Sequence, residues 1–231
     1  MDPRTSSNGL IRSASAWLQG LNARHPWSHN DAFISWILRR LPEQRRTAVD
    51  VGCGRGELLT RLAPEFDRVI GCDSDSDMRA ASAQRTVDLP NVSVTGGGWV
   101  AFSADDHTDL DLITMTAVLH HLDTPAVLER IAQMLAPGGR FLVVGLARRD
   151  TVVDHLWDYA SMVTNPIIGI VKHPRPVRGA APTPPPFPVK DPDLTYTELR
   201  GLFDQHLPGT RLRRRLGFRY TAEWTKPADR S

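Results

Sequence analysis

The chain has 231 residues, 41% of them apolar, which suffices for one substantial core and a single domain with a small cap. Its 28 basic and 26 acidic residues leave a formal charge of +2, so no broad field selects nucleic acid as a partner. Two cysteines, Cys53 and Cys72, make neither a disulfide framework nor a zinc spacing, and no apolar run reaches the roughly 20 residues of a membrane span. These numbers set the expectation of a cytoplasmic protein, monomeric or homodimeric, with no metal and no membrane partner.

Residues 1–45 read as an N-terminal helical cap. The first 24 are polar and weakly helical, with Ile11, Trp17, Leu18 and Leu21 as a thin apolar stripe. Arg4, Arg12 and several serines give this stretch a faint transit-peptide character, but it has no secretory apolar region and reads as a frayed leader helix. Ser28 with Asp31 three residues on has capping-box spacing, so a helix starts near His25-Pro26-Trp27-Ser28-His29. Phe33, Ile34, Ile37, Leu38 and Leu41 form its apolar face, and Pro42 ends it. The turn itself is either a helix start with a packed tryptophan or a lid in which Trp27 and His29 touch substrate.

Residues 46–150 carry the cofactor-binding core. Thr47-Ala-Val-Asp-Val51 reads as a buried parallel strand, followed at once by Gly52-Cys-Gly54-Arg-Gly56 and a helical run from Glu57. Glycines let the backbone turn sharply and let a ligand approach closely, and a helix start suits an anionic group. A dinucleotide fold places its third glycine one residue later, as G-x-G-x-x-G. The pattern here is D-x-G-x-G-x-G, and it resembles the first motif of the class I S-adenosylmethionine-dependent methyltransferases. That resemblance implies S-adenosylmethionine as cofactor, with Gly52, Gly54 and Gly56 under its amino-acid part and Asp50 and Cys53 also among the cofactor-binding residues.

Arg68-Val-Ile-Gly-Cys-Asp73 reads as a second strand ending in an acid, 17 residues beyond Gly56. A carboxylate at that tip accepts both ribose hydroxyls in nucleotide-type folds, which gives Asp73 its role and makes Ser74 its neighbour in the site. A helix over 75–85 and a third strand over 91–95 follow. The family then carries Gly-Asp, whose acid receives the adenine amino group; here Gly96-Gly97-Gly98-Trp99 stands instead. Backbone groups around Gly98, or Asp105 or Asp106, take over that task, with Trp99 flanking the adenine.

Leu110–Thr116 is the fourth strand, ending in a cofactor contact at Thr116, and Ala117-Val-Leu-His120-His121-Leu-Asp123 leads into a helix reaching Leu135. Ala136-Pro-Gly-Gly139 reads as a helix stop and glycine turn, and Arg140–Leu146 as a fifth buried strand. The stretches DLITMTAVLHHLD and LAPGGRFLVV are similar to the second half of the same family's core. The resemblance therefore covers residues 47–146 with every element in order. It implies a Rossmann-like α/β fold: seven strands in order 3-2-1-4-5-7-6, the last antiparallel, helices on both faces.

Residues 151–192 read as an insertion over the substrate. Val152, Val153, Leu156, Trp157, Ala160 and Val163 suggest an amphipathic helix interrupted at Pro166, with Trp157 and Tyr159 as candidate pocket walls. Eight of the eighteen prolines then fall between Lys172 and Pro192, excluding helix and central strand. Residues 193–231 return to a helix over 195–204 and a hairpin, Arg211–Leu216 and Phe218–Trp224, turning at Gly217. The run Arg211-Leu-Arg-Arg-Arg215 reads as a solvated strand face.

Methyl transfer from a sulfonium needs nucleophile, methyl and sulfur held in line, and orientation alone supplies on the order of 7–11 kcal/mol. A hydroxyl acceptor also needs a base near its pKa, for which histidine is suited. His120 and His121 follow the fourth strand, at the edge where such sheets bind ligands. His121 is the candidate base or substrate contact with His120 behind it; the bland alternative is a histidine bonded to the backbone of the turn. The reading is a methyltransferase acting on a small-molecule hydroxyl. Its rivals are another chemistry on the same cofactor and fold, such as cyclisation, and a nicotinamide oxidoreductase, which the glycine spacing disfavours.

Overall fold

The computed structural model describes residues 29–102, 108–148, 191–215 and 219–228. Nearly all of these belong to one compact unit, residues 32–148, 190–214 and 219–231. The second unit, residues 1–31, 149–189 and 215–218, falls almost wholly outside the described residues, and with it the expected lid at Trp27, the insertion with Trp157 and Tyr159, and the hairpin turn at Gly217. Asp105 and Asp106 lie outside them too.

Seven strands form one sheet: β1 (Thr47–Val51), β2 (Arg68–Cys72), β3 (Val92–Thr95), β4 (Leu110–Thr116), β5 (Leu135–Gly145), β6 (Arg211–Arg215) and β7 (Arg219–Thr225). Their order is β3-β2-β1-β4-β5-β7-β6, parallel from β3 through β5, with β7 antiparallel to β5. This is the topology the motif order predicts. The helices are α1 (His29–Leu38), α2 (Glu57–Leu62), α3 (Ser76–Arg85), α4 (Gly98–Ala101), α5 (Thr124–Met134) and α6 (Tyr196–His206), with 3₁₀ turns at Ala63–Glu65 and Leu119–His121.

Alternation along the strands divides the apolar residues between two layers. Val49, Val51, Ile113, Met115, Phe141 and Val143 join α5 and α6 side chains such as Leu128, Ile131, Leu199 and Phe203. Ala48, Leu112, Leu142 and Val144 turn the other way, onto Phe33, Trp36 and Ile37 of α1 and Leu58, Leu59 and Leu62 of α2. Sheet residues in both sets are fully buried, which is why their sequence reads as continuous apolar runs.

Two boundaries differ from the sequence reading. Pro137-Gly138-Gly139 is indeed a turn, but it bulges within β5 and does not precede it. Leu135 pairs with Leu110 and Arg140 with Leu112, so two steps on β4 face five on β5. Gly138 takes φ +79°, and Gly138 N–H and Gly139 C=O pair with Lys226 beyond β7. α6 extends past Asp204 to His206 and starts from a capping box: Glu198 N–H donates to Thr195 Oγ1 at 3.2 Å, and Thr195 N–H donates to Glu198 at 2.7 Å.

Candidate functional site

The carboxyl ends of β1, β2 and β4 meet at the glycine loop. Gly52 and Cys53 N–H groups both donate to the Cys72 carbonyl, at 2.7 and 3.1 Å, folding the loop back over the end of β2. Gly52, Gly54 and Gly56 all adopt positive φ, +69°, +53° and +79°. A Cβ on Gly52 would stand 2.1 Å from Val118 Cγ2, and one on Gly56 would stand 2.6 Å from Ser82 Oγ. One on Gly54 would meet nothing within 4 Å. The outer two glycines are therefore demanded by the protein's own packing, whereas the middle one opens onto free space.

Asp73 sits just past β2, 9% exposed, and its two oxygens accept from Gly54 N–H and Asp75 N–H, each at 2.9 Å. These bonds tie the glycine loop to the acid and fix its carboxylate plane, and each oxygen keeps a further lone pair. Ser74 beside it is exposed, and Arg79 donates to the carbonyls of Asp73 and Ser74 at 3.0 and 2.9 Å. Asp75 caps α3, accepting from Asp77 N–H and Met78 N–H.

Asp50 lies one residue before the end of β1, 3% exposed, and faces Thr114 across the β1–β4 pair. Thr114 Oγ1 is 2.7 Å from Asp50 Oδ1 and 3.3 Å from the Val49 carbonyl oxygen. Burial, and after it the charge of Asp73, push the Asp50 carboxyl up to about 7, against the opposing pull of the Thr114 hydroxyl. Burial likewise holds Cys53 and Cys72 as thiols, each pushed up to about 12. Neither cysteine is a nucleophile in this state.

Trp99 does not project freely from its turn. It is buried with Arg130 4.7 Å above its ring and Phe102 stacked at 6.5 Å, while Arg130 also donates to its carbonyl. Gly97 and Gly98 supply positive φ, and a Cβ on Gly98 would stand 3.4 Å from Ser74 Cβ and 3.5 Å from its backbone nitrogen. The Gly98 backbone, one of the expected substitutes for the missing acid after β3, thus sits beside Ser74 at the tip of β2. Thr116, half-buried, ends β4.

Ala117 follows with φ +59°, unusual for a residue bearing a Cβ, and donates to the Val144 carbonyl at 2.7 Å. This kink carries Val118 against Gly52 and starts the 3₁₀ turn that bears both histidines. The two rings lie 4.1 Å apart. Next to them a recess of about 310 Å³, its open mouth included, is walled by Leu119, His120, Leu122, Leu146, Leu194, Tyr220 and neighbours. His120 is in that wall and half-buried; His121 is exposed and outside it. The sequence reading took His121 as the base or substrate contact with His120 behind it; of the two, His120 is the one that lines this recess. His29 begins α1, with its side chain outside the description, and Trp27, Trp157 and Tyr159 lie outside the described residues.

No cluster of three or more His, Cys, Asp or Glu among the described residues is placed to hold a metal ion. No helix among them is long and apolar enough to cross a membrane. Sequence reasoning missed the kink at Ala117 and the Arg130 clamp on Trp99, because neither a strained alanine nor a pairing between residues 31 positions apart has a sequence signal.

Residues 49–141 match the family described as a methyltransferase domain. An uncharacterized methyltransferase of Mycobacterium tuberculosis is 28% identical over 207 residues, spanning 87% of this chain and 98% of that protein. A ubiquinone biosynthesis O-methyltransferase of Hydrogenovibrio crunogenus is 29% identical over 116 residues, 48% of this chain and 46% of its own. The crystal structure of a SAM-dependent methyltransferase from Aquifex aeolicus has the same fold at TM-score 0.52 and 15% identity, covering 92% of this chain and 98% of that one. The motif order, the sheet topology and these likenesses agree on a methyltransferase domain over residues 49–141, within the fold of the S-adenosylmethionine-dependent methyltransferases.

Proposed function

We propose that the chain transfers a methyl group from S-adenosylmethionine to a hydroxyl of a small-molecule acceptor. The cofactor's amino-acid part lies on the loop from Gly52 to Gly56, and its ribose hydroxyls donate to Asp73. The residues present suit that ligand: Gly54 opens onto free space, and Asp73 is held by two backbone donors with lone pairs to spare. When bound, the cofactor supplies an electrophilic methyl on a cationic sulfur. The protein's own work is to orient the acceptor, exclude water and remove a proton from the attacking oxygen.

The observation that carries the acceptor reading is the recess at the carboxyl ends of β4 and β5, one strand over from the glycine loop, with His120 in its wall. Leu119, Leu122, Leu146 and Leu194 give it an apolar lining suited to an organic acceptor. His120 is the base or acceptor contact on this reading, and His121 its exposed neighbour. The O-methyltransferase among the relatives supports hydroxyl as the acceptor group.

The test is incubation with methyl-labelled cofactor and a small-molecule extract, followed by identification of the labelled product. A labelled methyl ether supports the reading, and a methyl ester or a carbon- or nitrogen-linked methyl refutes it. With the acceptor in hand, His120→Ala should lose turnover while cofactor affinity stays unchanged, and His121→Ala should retain most of it. The reverse order would return the role to His121.

A further inference from the structure

Arg219 opens β7 at the carboxyl edge of the sheet, two strands over from β4. Its neighbour Tyr220 pairs with Gly145, where a Cβ would stand 2.3 Å from Tyr220 Cζ. Tyr220 therefore turns into the α5–α6 layer, and it walls the recess. Alternation sends Arg219 to the α1 side of β7, in line with Thr221 and Glu223. Continued by one step, the β5–β7 register sets Arg219 level with Leu146, another wall of the recess. A ligand lying over these strand ends meets both residues of β7. The Arg219 side chain is half-buried, and its Nε is out of water with no acceptor. Among the described residues no carboxylate pairs with it. Glu223, the acid on the same face of β7, already serves Arg40 at 3.0 Å and Arg140 at 3.6 Å. Burial lowers the Arg219 pKa, and no neighbouring charge opposes that shift. A guanidinium drawn from water without an anion costs the fold stability, and its planar fork of N–H groups matches an oxyanion.

We propose that Arg219 anchors an anionic group of the acceptor: the molecule whose hydroxyl is methylated also carries a carboxylate or a phosphate monoester. This rests on the proposed methyl transfer to a small hydroxyl compound and narrows its substrate class. The span is suited to it. Neighbouring strands lie about 4.7–4.9 Å apart, so the two steps from β4 to β7 cover about 10 Å. A ring or short chain between hydroxyl and anion fills that distance, and the leucines of the recess suit its carbon skeleton. An anion held at β7 also decides which end of the acceptor is left for the turn after β4, where His120 stands. Orientation of this kind is what an in-line displacement requires.

Arg219→Met keeps an apolar stem and removes the charge, which gives a first test on the protein alone. With no anion to lose, its urea midpoint should equal or exceed that of the wild type. A lower midpoint makes Arg219 a structural residue and overturns the inference. The second test incubates the protein with methyl-labelled S-adenosylmethionine and a small-molecule extract, then passes the products over an anion exchanger at about pH 8, where both acids are ionised. The labelled methyl ether should be retained. Alkaline phosphatase then separates the two sources: a phosphate monoester loses its retention and a carboxylate keeps it. Arg219→Met should raise KM for the retained acceptor about tenfold or more with kcat changed less, and Arg219→Lys should recover part of the loss. A labelled methyl ether that passes the exchanger uncharged overturns the inference and leaves methyl transfer to a hydroxyl in place, as does an unmoved KM in Arg219→Met. No labelled product, or label on carbon, nitrogen or a carboxylate, overturns the underlying reading itself.

Discussion

Three glycines two positions apart look equivalent in the sequence, and their surroundings make them different. Gly52 and Gly56 are closed by Val118 and Ser82, so alanine at either drives a methyl into existing atoms; Gly54 at φ +53° faces open space. Gly52→Ala should therefore destabilise the fold and lose ligand together. Gly54→Ala should cost only the left-handed backbone strain, about 1–2 kcal/mol by thermal melting, yet lower cofactor affinity by far more than that strain predicts. Equal losses in both variants would mean that nothing approaches Gly54. Asp73→Ala removes a charged acceptor and frees the loop from Gly54 N–H, so binding should weaken by roughly 2–4 kcal/mol, read by calorimetry. Asp50 makes a stability prediction of opposite sense. An acid raised from 3.8 to about 7 binds more protons folded than unfolded, so its contribution is full below the unfolded value and is lost as pH climbs through 7. Asp50→Asn should therefore flatten the decline between about pH 4 and 7, worth up to about 4 kcal/mol, and be the more stable protein at pH 8 in urea titrations.

The elements that hold the site repeat this contrast between local signal and distant partner. α6 supplies Leu199 to the recess and buries Tyr196, Leu199 and Phe203, and its entry is fixed by Thr195 and Glu198. Thr195→Ala leaves Glu198 N–H without its cap and should cost about 1–2 kcal/mol, a melting drop of roughly 2–8 °C, with Thr195→Ser largely spared. Strands β1, β2 and β4, the glycine loop and the acid after β2 were legible because their signals are local: apolar runs ending in Gly or Asp at fixed spacing. What escaped depends on partners far along the chain. The β5 bulge takes its shape from Lys226, and Trp99 is clamped by Arg130. Which histidine ring enters the recess follows from the turn after Ala117, and no pattern at residues 117–121 announces a positive φ.

Across the whole sheet, two acids of nearly equal burial stand at opposite ends and have opposite tasks. Asp50 lies towards the carboxyl edge, where a threonine hydroxyl meets it among the described residues. Asp111, second residue of β4 and 1% exposed, lies at the amino edge and is fully engaged. It accepts from Arg46 N–H at 2.7 Å, Thr47 N–H at 3.0 Å and the Arg46 guanidinium at 2.8 Å, pinning the start of β1 to β4. A parallel sheet places ligands at its carboxyl edge, so on the proposed reading the acid engaged at the amino edge serves the fold and the acid at the carboxyl edge serves binding. Asp111→Ala strands two backbone donors and a guanidinium. It should cost about 2–4 kcal/mol of stability, seen as a lower urea midpoint, while the affinity for S-adenosylhomocysteine measured well below that midpoint stays within a factor of two of the wild type. Asp50→Asn should give the mirror image, weaker binding on a fold that is no less stable above neutral pH. If Asp111→Ala weakened the ligand as much as Asp50→Asn does, the two edges would be coupled through β1, and the division of labour between them would not hold.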